Sequence, residues 1–117
     1  MNNNELLERL EDMGAEVDDV VERLGGDRAI YIDYLHQLAK DDSIIKLRQA
    51  VEANDAKRAE DAVHTLKGIS LNLGLLPLTD VCMDMLLDFR AGNVAEAMGQ
   101  LGAVEECYQE WVKAILA

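Results

Sequence analysis

Basic residues are scarce. Eleven Lys and Arg stand against 23 Asp and Glu, a formal net charge of −12. Nucleic-acid binding needs clustered Lys and Arg to neutralise phosphates, so the composition argues against that partner. It argues equally against an anionic membrane surface. The plain reading of the acidity is solubility. Cysteine is almost as scarce: Cys82 and Cys107 lie far apart in apolar helical patterns. That suits buried free thiols in a reducing compartment. Two Cys and two His without ligand spacing give no metal site. No apolar run approaches the roughly 18 residues of a membrane-spanning helix. The start, Met1-Asn-Asn-Asn-Glu5, has neither a basic segment nor an apolar stretch to direct export. The expected location is the cytoplasm. Strand alternation, internal repeats and low-complexity linkers are all missing.

Val, Ile, Leu, Met and Ala remain, many at helical spacing. A chain of 117 residues is one domain, able to bury a core without staples. Asn4 to Met13 reads as a short amphipathic helix ended by Gly14. Asp18 or Asp19 caps a second helix that Gly25-Gly26 stops. These two, spanning residues 1–26, are too short to stand alone and should pack as a lid on something larger. From Asp27, a good N-cap, the apolar positions Ile30, Tyr31, Tyr34, Leu35 and Leu38 begin a pattern. It resumes at Ile44, Ile45, Leu47, Ala50 and Val51 across Asp41-Asp42-Ser43. One long helix from Asp27 to Ala53, kinked near Asp41, is the expectation. Asp55 caps the next helix and Gly74 ends it. Pro77 is tolerated in the first turn of its successor, which runs to Ala91. Gly92 stops that helix. Asn93 caps a last one carrying Val104, Tyr108, Trp111 and Ile115, with Trp111 as a core or edge anchor. Short turns between the last three helices imply antiparallel neighbours. The fold class is all-α: an up-and-down four-helix bundle over 27–117 with a short N-terminal helical cap.

The helix from Asp55 to Gly74 is the informative one. At about 100° per residue, Ala59, Ala62, Leu66, Ile69 and Leu73 fall opposite His64, with Val63 and Ser70 at the border of that stripe. Lys57, Glu60, Asp61, Lys67, Gly68 and Leu71 fall within roughly 60° of His64. A glycine inside a helix costs about 1 kcal/mol relative to Ala, and Gly68 removes the side chain beside the imidazole. Lys67 lies one turn on, and Leu71 is apolar on the wet side. Asp55, Glu60 and Asp61 are offset by Lys57, Arg58 and Lys67, so this helix is neutral while other segments carry the negative charge. A neutral imidazole is a nucleophile near pH 7. Phosphoryl transfer asks for little more than positioning and charge compensation. His64, Lys67 and Gly68 therefore suggest that chemistry. A surface histidine with a chance lysine and glycine nearby is the bland alternative. His36 has no motif around it and reads as structural. No nucleophile elbow or Gly-rich phosphate loop supports hydrolysis or ATP use.

The run Ala62-Val-His-Thr-Leu-Lys-Gly68, followed by Asn72-Leu-Gly74, closely resembles the histidine-containing phosphotransfer (HPt) domain of bacterial phosphorelays. Leu24-Gly-Gly-Asp27, Ala50 to Asp55, and Leu78 with Cys82 extend the likeness over the surrounding elements. The resemblance implies that His64 accepts a phosphoryl group from a receiver-domain aspartate on Nε2 and passes it to another receiver. Lys67 would steady the group and Gly68 would admit the receiver's acidic pocket. Lys57, Glu60, Asp61 and Leu71 would border the docking face. The expected partners are response-regulator receiver domains and a hybrid sensor histidine kinase. The chain itself would need no cofactor, because the magnesium of the transfer belongs to the receiver. It would relay phosphate as a monomer without kinase activity. Two other readings are a degenerate, non-catalytic adaptor using the same face, and a module of a larger kinase. The Met1 start favours a free-standing protein over the module. The sequence departs from the family in several places. Leu86 stands where many relatives carry a polar residue that hydrogen-bonds the histidine, so either that bond is absent or Asp88 or another neighbour supplies it. Ile69, Leu71 and Leu75 are bulkier than usual.

Overall fold

The structure, a computed structural model, describes Met1–Ala117 as eight helices and no strand. They are α1 Asn3–Asp12, α2 Val17–Arg23, α3 Arg28–Lys40, α4 Ser43–Glu52, α5 Ala56–Asn72, α6 Leu76–Arg90, α7 Val94–Met98 and α8 Leu101–Leu116. α5 lies between α4 and α6, and α8 packs on α6, α3 and α4. The bundle thus has α3 and α4 in series on one side, then α5, α6 and α8. α1 covers α8, and α2 packs against α1 and α3, forming the N-terminal cap. A single apolar core joins Leu35, Leu47, Leu66, Met85 and Trp111 from five helices. Burying each such side chain contributes about 1.5–3 kcal/mol. Cys82 lies in that core and Cys107 is half-buried; both are free. Burial pushes the Cys82 thiol up to about 12, so it is a small apolar filler rather than a reactive group.

Three expectations need correction. The stretch from Asp27 to Ala53 is two helices. Asp41 is extended (φ −68°, ψ 142°), and its carboxylate accepts the Ser43 N–H at 2.8 Å. A side chain that bonds its own backbone two residues on offers an alternative to the helix ladder. The Leu38 carbonyl, near the end of α3, is taken by the buried Tyr108 hydroxyl at 2.8 Å. The last helix is also broken, at Gly99-Gln100. The Gln100 N–H turns to Ala97, and its side-chain amide donates to the Glu96 carbonyl at 3.2 Å instead. Thirdly, the inward face of α3 is narrower than its apolar pattern. Tyr31, Ile32, Leu35 and Leu38 are buried, whereas Ile30 and Tyr34 are exposed, as is Ile45 on α4.

The cap grips the end of α5. The last carbonyls of a helix have no partner within it. Here Arg23 of α2 donates to the Asn72 carbonyl at 3.3 Å. The Tyr31 hydroxyl donates to that of Leu73 at 2.8 Å, and the Glu16 N–H donates to that of Gly74 at 2.9 Å. Glu16, not Asp18 or Asp19, occupies the N-cap of α2, with non-helical backbone and no side-chain capping bond, and its carbonyl accepts the Val20 N–H at 3.1 Å. Gly74 reverses the chain with φ +70°, a conformation natural for glycine at a helix C′ position. A Cβ there would sit 2.8 Å from Val20 Cγ2, so the close approach of cap to turn also needs glycine.

Candidate functional site

α5 is fixed at both ends. The Asp55 carboxylate accepts the Arg58 N–H at 3.1 Å as an N-cap, and the carbonyl clamp closes the other end. Its buried stripe is Ala59, Ala62, Val63, Leu66 and Ser70. His64 is exposed on the opposite face and makes no hydrogen bond within the chain. Lys67 follows one turn on, half-exposed, and joins no ion pair. Gly68 is helical, without positive φ, and a Cβ added to it would meet no atom within 4 Å. Neither backbone geometry nor packing therefore calls for glycine at this position. Leu71 projects beside them, 48% exposed.

The other expected border residues divide. Lys57 and Asp61 pair with each other at 3.2 Å on the exposed surface, and Glu60 is half-buried. Thr65, next to the histidine, turns its hydroxyl back to the Asp61 carbonyl at 3.1 Å. Two grooves run along the flank of α5 that faces α3 and α4. A polar one of about 530 Å³ includes Lys46, Arg58, Asp61 and Thr65. An apolar one of about 310 Å³ includes Tyr34, Leu38, Ile69 and Leu73. Both reach Asp41 at the α3–α4 break.

An exposed helical histidine with a free lysine and an unforced glycine one turn on is one observation. The reach of the family is the other: the Hpt domain model matches residues 3–114. The chain belongs to the Hpt domain family. No curated protein and no solved structure gives a match. Hpt domains serve phosphotransfer in phosphorelays, as carriers rather than kinases, and work with receiver domains and histidine kinases. No helix of this Hpt domain is long and apolar enough to cross a membrane.

The support beneath the Hpt helix is not where the sequence pointed. Leu86 is fully buried in the core and has no polar atom to offer the histidine. Asp88, the suggested substitute, is half-buried and hydrogen-bonded to Gln100 of the α7–α8 turn. The polar link from α5 to α6 lies deeper. The Ser70 and Thr79 hydroxyls are 2.9 Å apart, so one donates to the other, and the accepting hydroxyl keeps its own proton for the carbonyl within its reach, that of Lys67 at 2.9 Å for Ser70 or that of Leu75 at 3.2 Å for Thr79. This buried pair ties the backbone under Lys67 to the next helix. A sequence signal existed in two hydroxyls flanking the Gly74 turn, with Ser70 at the edge of an apolar stripe.

Proposed function

We propose that this Hpt domain is a phosphorelay intermediate in which His64 takes a phosphoryl group from a receiver aspartate and returns it to another receiver. The observation that carries this reading is the combination at His64. The nucleophile is exposed on a rigid helix, its nearest cation is unpaired, and a glycine leaves the approach open without any internal reason for being there. In the forward step the Nε2 lone pair attacks phosphorus in line with the aspartyl P–O bond. The P–N bond forms as that P–O bond breaks, and the aspartate carboxylate leaves with the electron pair. The proton held on Nδ1 balances the charge and passes to solvent. Lys67 compensates the phosphoryl oxygens. The return step reverses the same bonds. The magnesium of the transfer is supplied by the receiver, and ATP is not a substrate. A monomer working in the cytoplasm fits this role.

The test is to mix the protein with aspartyl-phosphorylated receiver domains and follow a label that is acid-labile and alkali-stable. Wild type should be labelled and His64→Gln should not. Because His64 has no bond within the fold, His64→Gln should melt with the wild type. Persistent labelling of that variant would remove His64 from the role. Tight receiver binding by wild type without any label would favour the adaptor reading.

A further inference from the structure

The chain has five aromatic side chains. Phe89, Tyr31, Tyr108 and Trp111 are buried, while Tyr34 is 43% exposed. The hydroxyls of Tyr31 and Tyr108 each donate to a buried carbonyl; that of Tyr34 bonds to nothing in the chain. Tyr34 stands between two shallow apolar depressions. One, of about 310 Å³, opens towards Leu38 and Ile69. The other, of about 290 Å³, opens towards Val20 and Leu24. Both share Tyr34, Asn72 and Leu73, so they form one groove with an aromatic ridge across it. A rigid amphipathic ring with a free hydroxyl, flanked by unfilled apolar depressions, has the character of an interface anchor.

Position and charge say what it would hold. Ile69 and Leu73 lie about 7.5 and 13.5 Å along the helix axis from His64. A partner covering a standard 800 Å² patch centred on His64 reaches outwards by about 16 Å; Ile69 and Leu73 turn away from His64, so it is the groove's exposed edge at Asn72 that such a partner meets. On the helical wheel Gly68 lies between His64 and the groove edge at Asn72, so no side chain stands in the way. Two of the helices that line the groove, α3 with its cap and α5, carry no net charge: Asp27 and Asp33 are offset by Arg28 and Lys40, as the acids of α5 are by its bases. Asp41 borders the near depression and Arg23 the far one, so the lining of the groove is balanced as well. On a chain of net charge −12, a partner with an acidic pocket is repelled less here than on the acidic α1, α6 and α8.

We infer that Tyr34 anchors the receiver domain, with the depressions on either side accepting aliphatic side chains that border the receiver's acidic pocket, and that this contact selects among receivers. The inference rests on the phosphorelay reading above. The experiment uses a phosphorylated receiver domain that labels the wild-type protein, and varies the concentration of the acceptor chain. Tyr34→Ala should raise the half-saturating concentration about 30-fold with the maximal rate unchanged, the loss typical of removing an aromatic anchor from an apolar pocket. Tyr34→Phe should stay within about threefold, because the hydroxyl has no partner to lose. A rise below tenfold for Tyr34→Ala would overturn the anchor. So would a dimer in sedimentation that Tyr34→Ala dissociates, since a second copy would then fill the groove. A wild-type chain that no phosphorylated receiver labels would defeat the relay reading and the anchor together. A labelled wild type with an unaffected Tyr34→Ala would defeat the anchor alone.

Discussion

Gly68 offers a test in which stability and function should move in opposite directions. An interior helical glycine costs about 1 kcal/mol relative to alanine. Here nothing offsets that cost within the chain, since the backbone is helical and an added Cβ meets no atom within 4 Å. Gly68→Ala should therefore stabilise the protein by about 1 kcal/mol. The entropy of unfolding is about 2.1 cal/mol/K per residue. For 117 residues that is about 0.25 kcal/mol/K, so the melting temperature should rise by about 4 °C. Gly68→Gln should retain part of the gain, because glutamine is also a good helix former. It also places a long side chain within roughly 40° of His64 on the wheel. Transfer from a phosphorylated receiver should then need at least about tenfold more acceptor for the same rate. Thermal melting by circular dichroism and receiver-to-histidine transfer read the two effects separately. If neither variant melts higher, glycine has an internal role that the packing does not reveal. If both melt higher and transfer is untouched, the reasoning from access is wrong. A substitution that stabilises the fold and impairs transfer marks a residue retained for function.

Lys67→Ala should leave stability within about 0.5 kcal/mol of wild type, because the side chain has no ion pair to lose. It should slow phosphoryl transfer or shorten the life of the phosphohistidine by about fivefold to tenfold, and unchanged kinetics would strip it of the role. Gly74→Ala should do the reverse. Left-handed backbone costs a non-glycine residue about 1–2 kcal/mol, and the clash with Val20 adds about 1–3 kcal/mol. Denaturant titration should show a loss of about 2–5 kcal/mol; a loss under about 1 kcal/mol would mean that the cap yields freely.

α5 was legible because its signals are local. Asp55 and Gly74 mark its ends, and the apolar spacing between them places His64, Lys67 and Gly68 on one open face. The helix breaks at Asp41 and Gly99 were not legible in the same way. Periodicity reports which side chains face inwards, and that phase can continue across a point where the backbone ladder stops. At Asp41 a carboxylate takes a nearby N–H; at Gln100 a side-chain amide takes over a carbonyl. Tyr34 fits the apolar pattern of α3 and is nevertheless exposed. How wide a face α3 buries depends on its packing against α8 and α2, which no local rule contains. Leu86 in the core and Asp88 bonded to Gln100 leave His64 without a hydrogen bond from α6, one of the two outcomes the sequence left open. The carbonyl clamp spans separations of 42 residues for Tyr31–Leu73 and 49 for Arg23–Asn72, beyond any sequence pattern.

The bonding of α5 falls into two groups with little overlap. Its buried stripe, the Ser70–Thr79 pair, the Asp55 cap and the clamped carbonyls hold the helix in place. The side chains of His64 and Lys67 contribute none of these contacts. On the proposed reading, this separation matters when the histidine is phosphorylated. The added group carries about −1.5 to −2 charges, with Glu60 and Asp61 one turn before it and Lys67 one turn after. Asp61 is already engaged by Lys57 at 3.2 Å, which leaves Lys67 as the unpaired cation of the face. The phosphoryl group thus gains local compensation without recruiting any contact that holds the bundle. A carrier benefits from that arrangement. A phosphorylated state that reorganised the fold would be stabilised by the reorganisation, and returning the group to a second receiver would have to reverse it. Here the helix that accepts the group is the same rigid helix that gives it up, so the direction of flow is left to the receivers that dock on it.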